Sequence, residues 1–138
     1  MKSDFDKDKR INNYSDLKVY QIAFESAMRI FEFSKKWPPE EKYSLTDQIR
    51  RSSRSVCGNI AEAWRKRRYP AHFVSKLSDS DTEAAETDVW LDFAFKCKYL
   101  EKEVHSNLKE DYDHICRMLM KMMNKPQEWC VTKKLRSE

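Results

Sequence analysis

Apolar residues recur at steps of three and four through most of the chain, the spacing of one face of an α-helix. Leu17, Tyr20, Phe24, Ala27 and Phe31 predict a first helix from near Ser15, as N-cap, to about Lys36, where Pro38 and Pro39 stop it. A second helix opens at Ser44, whose spacing to Asp47 fits an acidic capping box, and runs to about Arg68. Tyr69 precedes Pro70, which disfavours helical geometry before it and suits a first turn, so a third helix starts near Ala71. It carries Phe73, Leu77, Ala84, Leu91, Phe95 and Tyr99 and frays near Glu103. Asn107 with Glu110 reads as another capping box, opening a fourth helix through Ile115, Met118, Leu119 and Met122 that ends before Pro126.

Four helices of roughly 16 to 30 residues joined by short loops describe an all-α, antiparallel, up-down-up-down four-helix bundle. It spans residues 14–124, after a charged, flexible tail at 1–13 and before a C-terminal appendage at 125–138, whose Trp129 and Val131 follow no clear period.

The second helix carries the strongest pattern. With Ile49 at the centre and about 100° per residue, Leu45, Ser52, Ser53, Val56, Ile60, Ala63 and Trp64 fall within about 60°, a buried face with a small middle. Opposite lie Arg50, Arg51, Arg54, Gly58, Ala61, Arg65 and Arg68. Asn59 sits on the flank, where a buried amide needs partners, so a hydrogen bond to a neighbouring helix is expected.

Composition sharpens this picture in two ways. Gly58 is the only glycine among 138 residues, where average usage would give roughly ten. Phosphate-cradling loops, Gly-rich dinucleotide folds and tight primed hairpins all need several, so those classes are excluded. In mid-helix Gly58 costs about 1 kcal/mol against alanine, which points to a close backbone contact.

Charged residues make up 36% of the chain, well above the roughly 25% of an average globular protein. They are also segregated. Residues 47–68 hold seven positive and two negative side chains, net +5, while residues 69–95 set Lys76 against six acids, net −5. Arg50 and Arg54 are therefore expected to pair with acids of the third helix, inside one bundle or across a subunit contact. Arg65, Lys66, Arg67 and Arg68 end the helix, where cations suit the dipole and can also bind a polyanion.

Other chemistry finds little support. His72, His105 and His114 do not converge with the four dispersed cysteines on a zinc-like set, and the paired Glu-x-x-His of a di-iron bundle is absent. Asp81 and Asp88 lie near the apolar stripe of the third helix without a partnering nucleophile and read as arginine partners. Met118, Met120, Met122 and Met123 read as core or subunit packing. The charged start "MKSDFDKDKR" and the lack of an apolar run of about 20 residues lead us to expect a soluble cytoplasmic protein with free thiols, not a membrane protein.

The stretch "WPPEEKYSLTDQIRRSSRSVCGNIAEAWRKRR" resembles the family of 23S ribosomal RNA intervening-sequence proteins, four-helix bundles. The resemblance lies in Pro39, Glu41, Tyr43, Leu45, Gln48, Ile49, Arg50, Arg51, Ser55, Val56, Asn59, Ile60, Ala61 and Glu62. "YSDLKVYQIA" and "SKLSDSDTEAAETDVWLDFA" are similar to its other helices, the latter through Leu77, Ala85, Glu86, Thr87, Asp88 and Leu91. Ala63 stands where the family has a closing glycine, and Ser80 to Glu83 replace a small-residue stretch. The resemblance implies a non-enzymatic bundle without cofactor. Through related accessory proteins of diversity-generating retroelements it implies a homopentameric ring with a basic surface that binds nucleic acid and a reverse transcriptase.

The expectation is thus an oligomeric bundle that binds RNA or DNA, with structured RNA foremost, through Arg51, Arg54, Arg65, Lys66, Arg67 and Arg68. Arg50, Asn59, Glu62, Glu86 and Asp88 are read as structural or subunit contacts. The alternative is a protein-binding scaffold whose arginines serve helix three or a partner subunit.

Overall fold

The computed structural model describes residues 11–131. Four α-helices carry the fold: α1 (Lys18–Ser34), α2 (Asp47–Arg65), α3 (Pro70–Lys96) and α4 (Lys102–Asn124). No strand occurs among the described residues. Each helix packs on the next in sequence and α4 closes on α1, with the most extensive contact between α2 and α3.

The wheel face of α2 is the one that folding buries. Ile49, Val56 and Ile60 are fully enclosed, with Ser52, Ser53, Ala63 and Trp64 beside them, each large aliphatic contributing about 1.5–3 kcal/mol. Small hydroxyl residues let α3 approach: Ser52 and Thr87 share a buried hydrogen bond of 2.8 Å, and Ser80 Oγ donates to the Val56 carbonyl at 2.8 Å. Ser80 is fully buried, so the stretch that departs from the family's small residues still packs closely. Pairings descend along α3 as they ascend along α2, from Ser52–Thr87 through Val56–Ser80 to Glu62–Lys76.

In α1 the inward face is Val19, Ala23, Ser26, Ala27, Ile30 and Ser34; of the expected stripe Leu17 and Ala27 are buried and the aromatics are not. Phe24 is exposed, and Tyr20 and Phe31 are only half-buried. Close packing of the helix on its neighbours admits alanine and serine and leaves the rings at the rim.

The helix ends differ from expectation in instructive ways. Asn13, not Ser15, caps the first turn, accepting from Ser15 N–H at 2.8 Å while Asp16 accepts from Asn13 N–H at 3.3 Å. A π-helical turn, Lys42–Thr46, precedes α2 where Ser44 was expected to cap. Asn107 lies inside α4, which starts five residues earlier at Lys102, because Val104 and buried Leu108 extend its apolar stripe backwards.

The long α3 stops at Lys96 in a Schellman motif: Tyr99 N–H donates to Ala94 O at 2.8 Å and Lys98 N–H to Phe95 O at 2.9 Å. Lys98 takes the left-handed position, with φ of 69°. Of the two terminal segments, residues 1–10 and 132–138 lie outside the described residues. Pro126–Glu128 form a short 3-10 turn, and Trp129 and Cys130 pack against the core.

Candidate nucleic-acid interface

Helix α2 ends at one pole of the bundle. Lys66 N–H closes on Ala63 O at 2.9 Å and Glu62 O at 3.1 Å, Tyr69 N–H turns back to Lys66 O at 2.9 Å, and Pro70 begins α3. This turn points Arg65, Lys66 and Arg68 into solvent. None of the three has an ion-pair partner among the described residues. Their charges stand at the C-terminus of α2, the negative end of its dipole.

Arg67 is placed differently from its neighbours. Its guanidinium stacks 3.5 Å from the Trp64 ring centroid, and its Nε–H donates to the Trp64 carbonyl at 2.9 Å. The Arg67 carbonyl accepts from Val131 N–H at 3.1 Å, so the residue also ties down the chain after α4. Burial lowers its pKa from the ordinary value, partly offset by Cys130. Arg67 is half-buried, with its guanidinium laid on the Trp64 ring and its Nε–H taken by the Trp64 carbonyl; the sequence run RKRR is thus three outward cations and one inward anchor.

Arg50 and Arg54 do not meet the acids of α3. Arg50 Nε–H donates to Ser34 Oγ at 2.8 Å, and its guanidinium lies 4.8 Å from the Phe31 centroid, with that of Arg54 at 5.5 Å. The reason is rotational: with Ile49 inward, Arg50 and Arg54 fall about 100° and 140° round the helix, on the α1 flank, while Ser52 and Val56 face α3.

Asp88 and Asp92 of α3 find other partners. Lys109 of α4 lies 3.6 Å from Asp88 and 3.0 Å from Asp92, which also meets His105 at 2.9 Å. Burial raises the Asp88 pKa, with Lys109 opposing. For Asp92 burial acts upward, but hydrogen bonds from His105 and Lys109 bring it below the ordinary value. Asp81, expected as an arginine partner, sits instead beside the Cys116 thiol.

Of the remaining expected contact residues, Glu62 pairs with Lys76 at 2.7 Å across α2 and α3. Asn59 Nδ2 donates to the Ser55 carbonyl at 3.0 Å, within its own helix and not to a neighbour. Glu86 is half-buried beside Glu83, whose carboxyl is raised by burial and then by Glu86. Outside its own helix, Gly58 has nothing among the described residues within 4 Å of where a Cβ would stand, so no neighbouring element there fills the notch.

What faces outward is a ridge of Arg51 and Arg54, bare Gly58, then Arg65, about 21 Å from first to last arginine at 1.5 Å per residue. Lys66 and Arg68 extend it at the pole. Such a ridge can hold phosphates; it offers no built pocket. Among the described residues no three His, Cys, Asp or Glu are grouped to hold a metal, and no helix is long and apolar enough to cross a membrane. The sequence reading missed Phe31 and Ser34 as seats for Arg50 and Arg54, although Phe31 was visible as an aromatic on the α1 stripe. It also missed Val131 as the clamp on Arg67, for which no periodic signal exists.

The model of the 23S rRNA-intervening sequence protein family matches residues 15–121. A crystal structure of a protein of unknown function from the S23 ribosomal protein family of Bacteroides thetaiotaomicron superposes with a TM-score of 0.67 at 28% identity. That match covers 76% of this chain and 97% of the other. No curated protein matches the chain. With its four helices and most of its length matched, the chain belongs to the 23S rRNA-intervening sequence protein family.

Proposed function

We propose that this protein is a non-enzymatic, oligomeric, antiparallel four-helix bundle that binds nucleic acid, structured RNA foremost, through Arg51, Arg54, Arg65, Lys66 and Arg68. The descending contacts between α2 and α3 support the antiparallel order. The observation that carries the binding reading is the pole: Arg65, Lys66 and Arg68 are exposed together without a carboxylate partner among the described residues. Guanidinium and ammonium groups so placed attract phosphates with little regard to base sequence. On the resemblance read from the sequence alone, we extend the proposal to a pentameric ring and to a reverse transcriptase as protein partner, and we place the protein in the cytoplasm.

Filter binding of the purified protein to ribosomal RNA fragments and to duplex DNA, at about 50 and 200 mM salt, tests this. Affinity should fall steeply with salt, and a variant with Arg65, Lys66 and Arg68 all changed to alanine should bind weakly with a shallower slope. Equal binding by the variant, or no binding at low salt, would remove this surface from the reading.

A further inference from the structure

The turn that joins α2 to α3 carries an aromatic ring that the fold does not use. The main chain of Tyr69 is committed at both ends: its N–H donates to the Lys66 carbonyl and its carbonyl accepts from Phe73 N–H, both at 2.9 Å. With φ of −124° and ψ of 94° it is extended, the conformation favoured before a proline. The ring, by contrast, is left outside, and the residue is 53% exposed.

The charges around this ring are of one sign. Arg65, Lys66 and Arg68 lie within four residues of Tyr69, at most about 14 Å of chain, and all three are exposed. From Ala63 to Ser78 the sequence holds no carboxylate. Glu62 and Asp79, which bracket that stretch, both meet Lys76, at 2.7 and 3.8 Å. Other strongly exposed rings have acids at their side: Tyr43 follows Glu40 and Glu41, and Phe93 follows Asp92.

We propose that this turn binds unpaired nucleotides of RNA, one base laid on the ring of Tyr69 and the flanking phosphates held by Arg65, Lys66 and Arg68. The inference rests on the phosphate-binding reading of the pole and names the class of nucleic acid that the pole takes. Cations alone hold any phosphate backbone, paired or not. A ring is more selective. Inside a duplex each base is covered by its neighbours and offers no face, whereas loops, bulges and single strands leave faces open. An exposed ring among free cations suits such a strand, because every base has a π-face and every nucleotide a phosphate. His72, in the first turn of α3, leans on Tyr69 with centroids 5.8 Å apart at 56°, which restricts the swing of the ring from that side.

Fluorescence anisotropy at about 50 mM salt tests this with three RNAs: an unstructured strand of about 12 nucleotides, the same strand paired to its complement, and a hairpin with an unpaired loop. Wild type should bind the strand, the hairpin or both about tenfold more tightly than the duplex, and whichever is preferred names the source of the unpaired bases. Tyr69→Ala should lose that preference while keeping the salt slope and the duplex affinity of wild type. Tyr69→Phe should bind as wild type does. Tyr69→Leu, which fills the turn without a flat face, should behave like Tyr69→Ala, with wild-type helicity by circular dichroism.

A wild type that holds the duplex as tightly as the strand and the hairpin, or a Tyr69→Leu variant that binds unpaired RNA as Tyr69→Phe does, overturns the stacking assignment and leaves the phosphate reading standing. A variant with Arg65, Lys66 and Arg68 changed to alanine that binds the strand as wild type does overturns the phosphate reading on which this one rests. No binding by wild type to any of the three RNAs overturns both.

Discussion

Arg67 stacks on the ring of Trp64, 3.5 Å from its centroid, and donates Nε–H to the carbonyl of the same residue. A cation held this way is spent on structure, and its contribution should appear in stability before it appears in binding. Arg67→Ala should destabilise the fold by about 1–2 kcal/mol, from the lost cation–π contact and hydrogen bond. Arg67→Lys should not rescue it, because an ammonium lacks the planar face that lies on the indole. Urea unfolding measures the loss, and filter binding of the same protein should keep the wild-type salt slope. Unchanged stability together with lost RNA binding would reverse the assignment of Arg67 from anchor to phosphate contact.

Lys98 completes the Schellman motif of α3 in a left-handed conformation, φ 69°, where its Cβ crowds the backbone. Glycine removes that crowding but loosens the unfolded chain, so Lys98→Gly should raise stability by a net of about 0.5–1 kcal/mol. Lys98 is exposed, so no core contact is lost with the side chain. The midpoint of urea unfolding should rise at unchanged slope; a fall would mean that the lysine side chain holds the α3–α4 turn by contacts of its own.

The four cysteines should react in a strict order. Burial pushes the Cys57 thiol up to about 11, and burial with Asp81 beside it pushes Cys116 up to about 12. Cys130 is also raised, by burial, whereas Cys97 is exposed just past the end of α3. The thiolate is the reactive form, so the raised pKa values keep Cys57 and Cys116 protonated at pH 8, while Cys97 is the one exposed thiol among the described residues. Native protein treated with a maleimide at pH 8 and mapped by peptide mass should show Cys97 labelled first, and all four labelled alike in urea. Labelling of Cys57 or Cys116 as fast as Cys97 would contradict the packing around them.

The four-helix arrangement was legible where one face of a helix is strongly apolar and the other strongly charged, as in α2, whose wheel centred on Ile49 matches the buried set. It was misread where small residues carry the packing. Ala23, Ser26 and Ser34 join the expected Ala27 on the core side of α1 in place of Phe24 and Phe31, since a helix that packs closely has no room there for a ring. Asn107 and Glu110 satisfy the pattern of a capping box, yet burial of Leu108 outweighs a local cap of about 1 kcal/mol. Charge complementarity between two segments was legible too, but not the rotation of each helix, which turned Arg50 and Arg54 toward Phe31 and Asp88 toward Lys109. The RKRR run divided for the same reason: Arg67, three residues after Trp64, comes back over the inward side of α2.

The spacing around Gly58 implied a close neighbour, and none of the described residues outside its own helix supplies one. The glycine is exposed in mid-helix, with nothing from outside that helix within 4 Å of a would-be Cβ. A methyl group there meets no neighbouring element among the described residues and removes the backbone freedom that glycine has when unfolded. Gly58→Ala should therefore stabilise the isolated chain by about 0.5–1 kcal/mol, the ordinary difference in helix propensity. Urea unfolding of the variant beside wild type measures this effect. A loss of stability would show that some part of the chain does approach the notch.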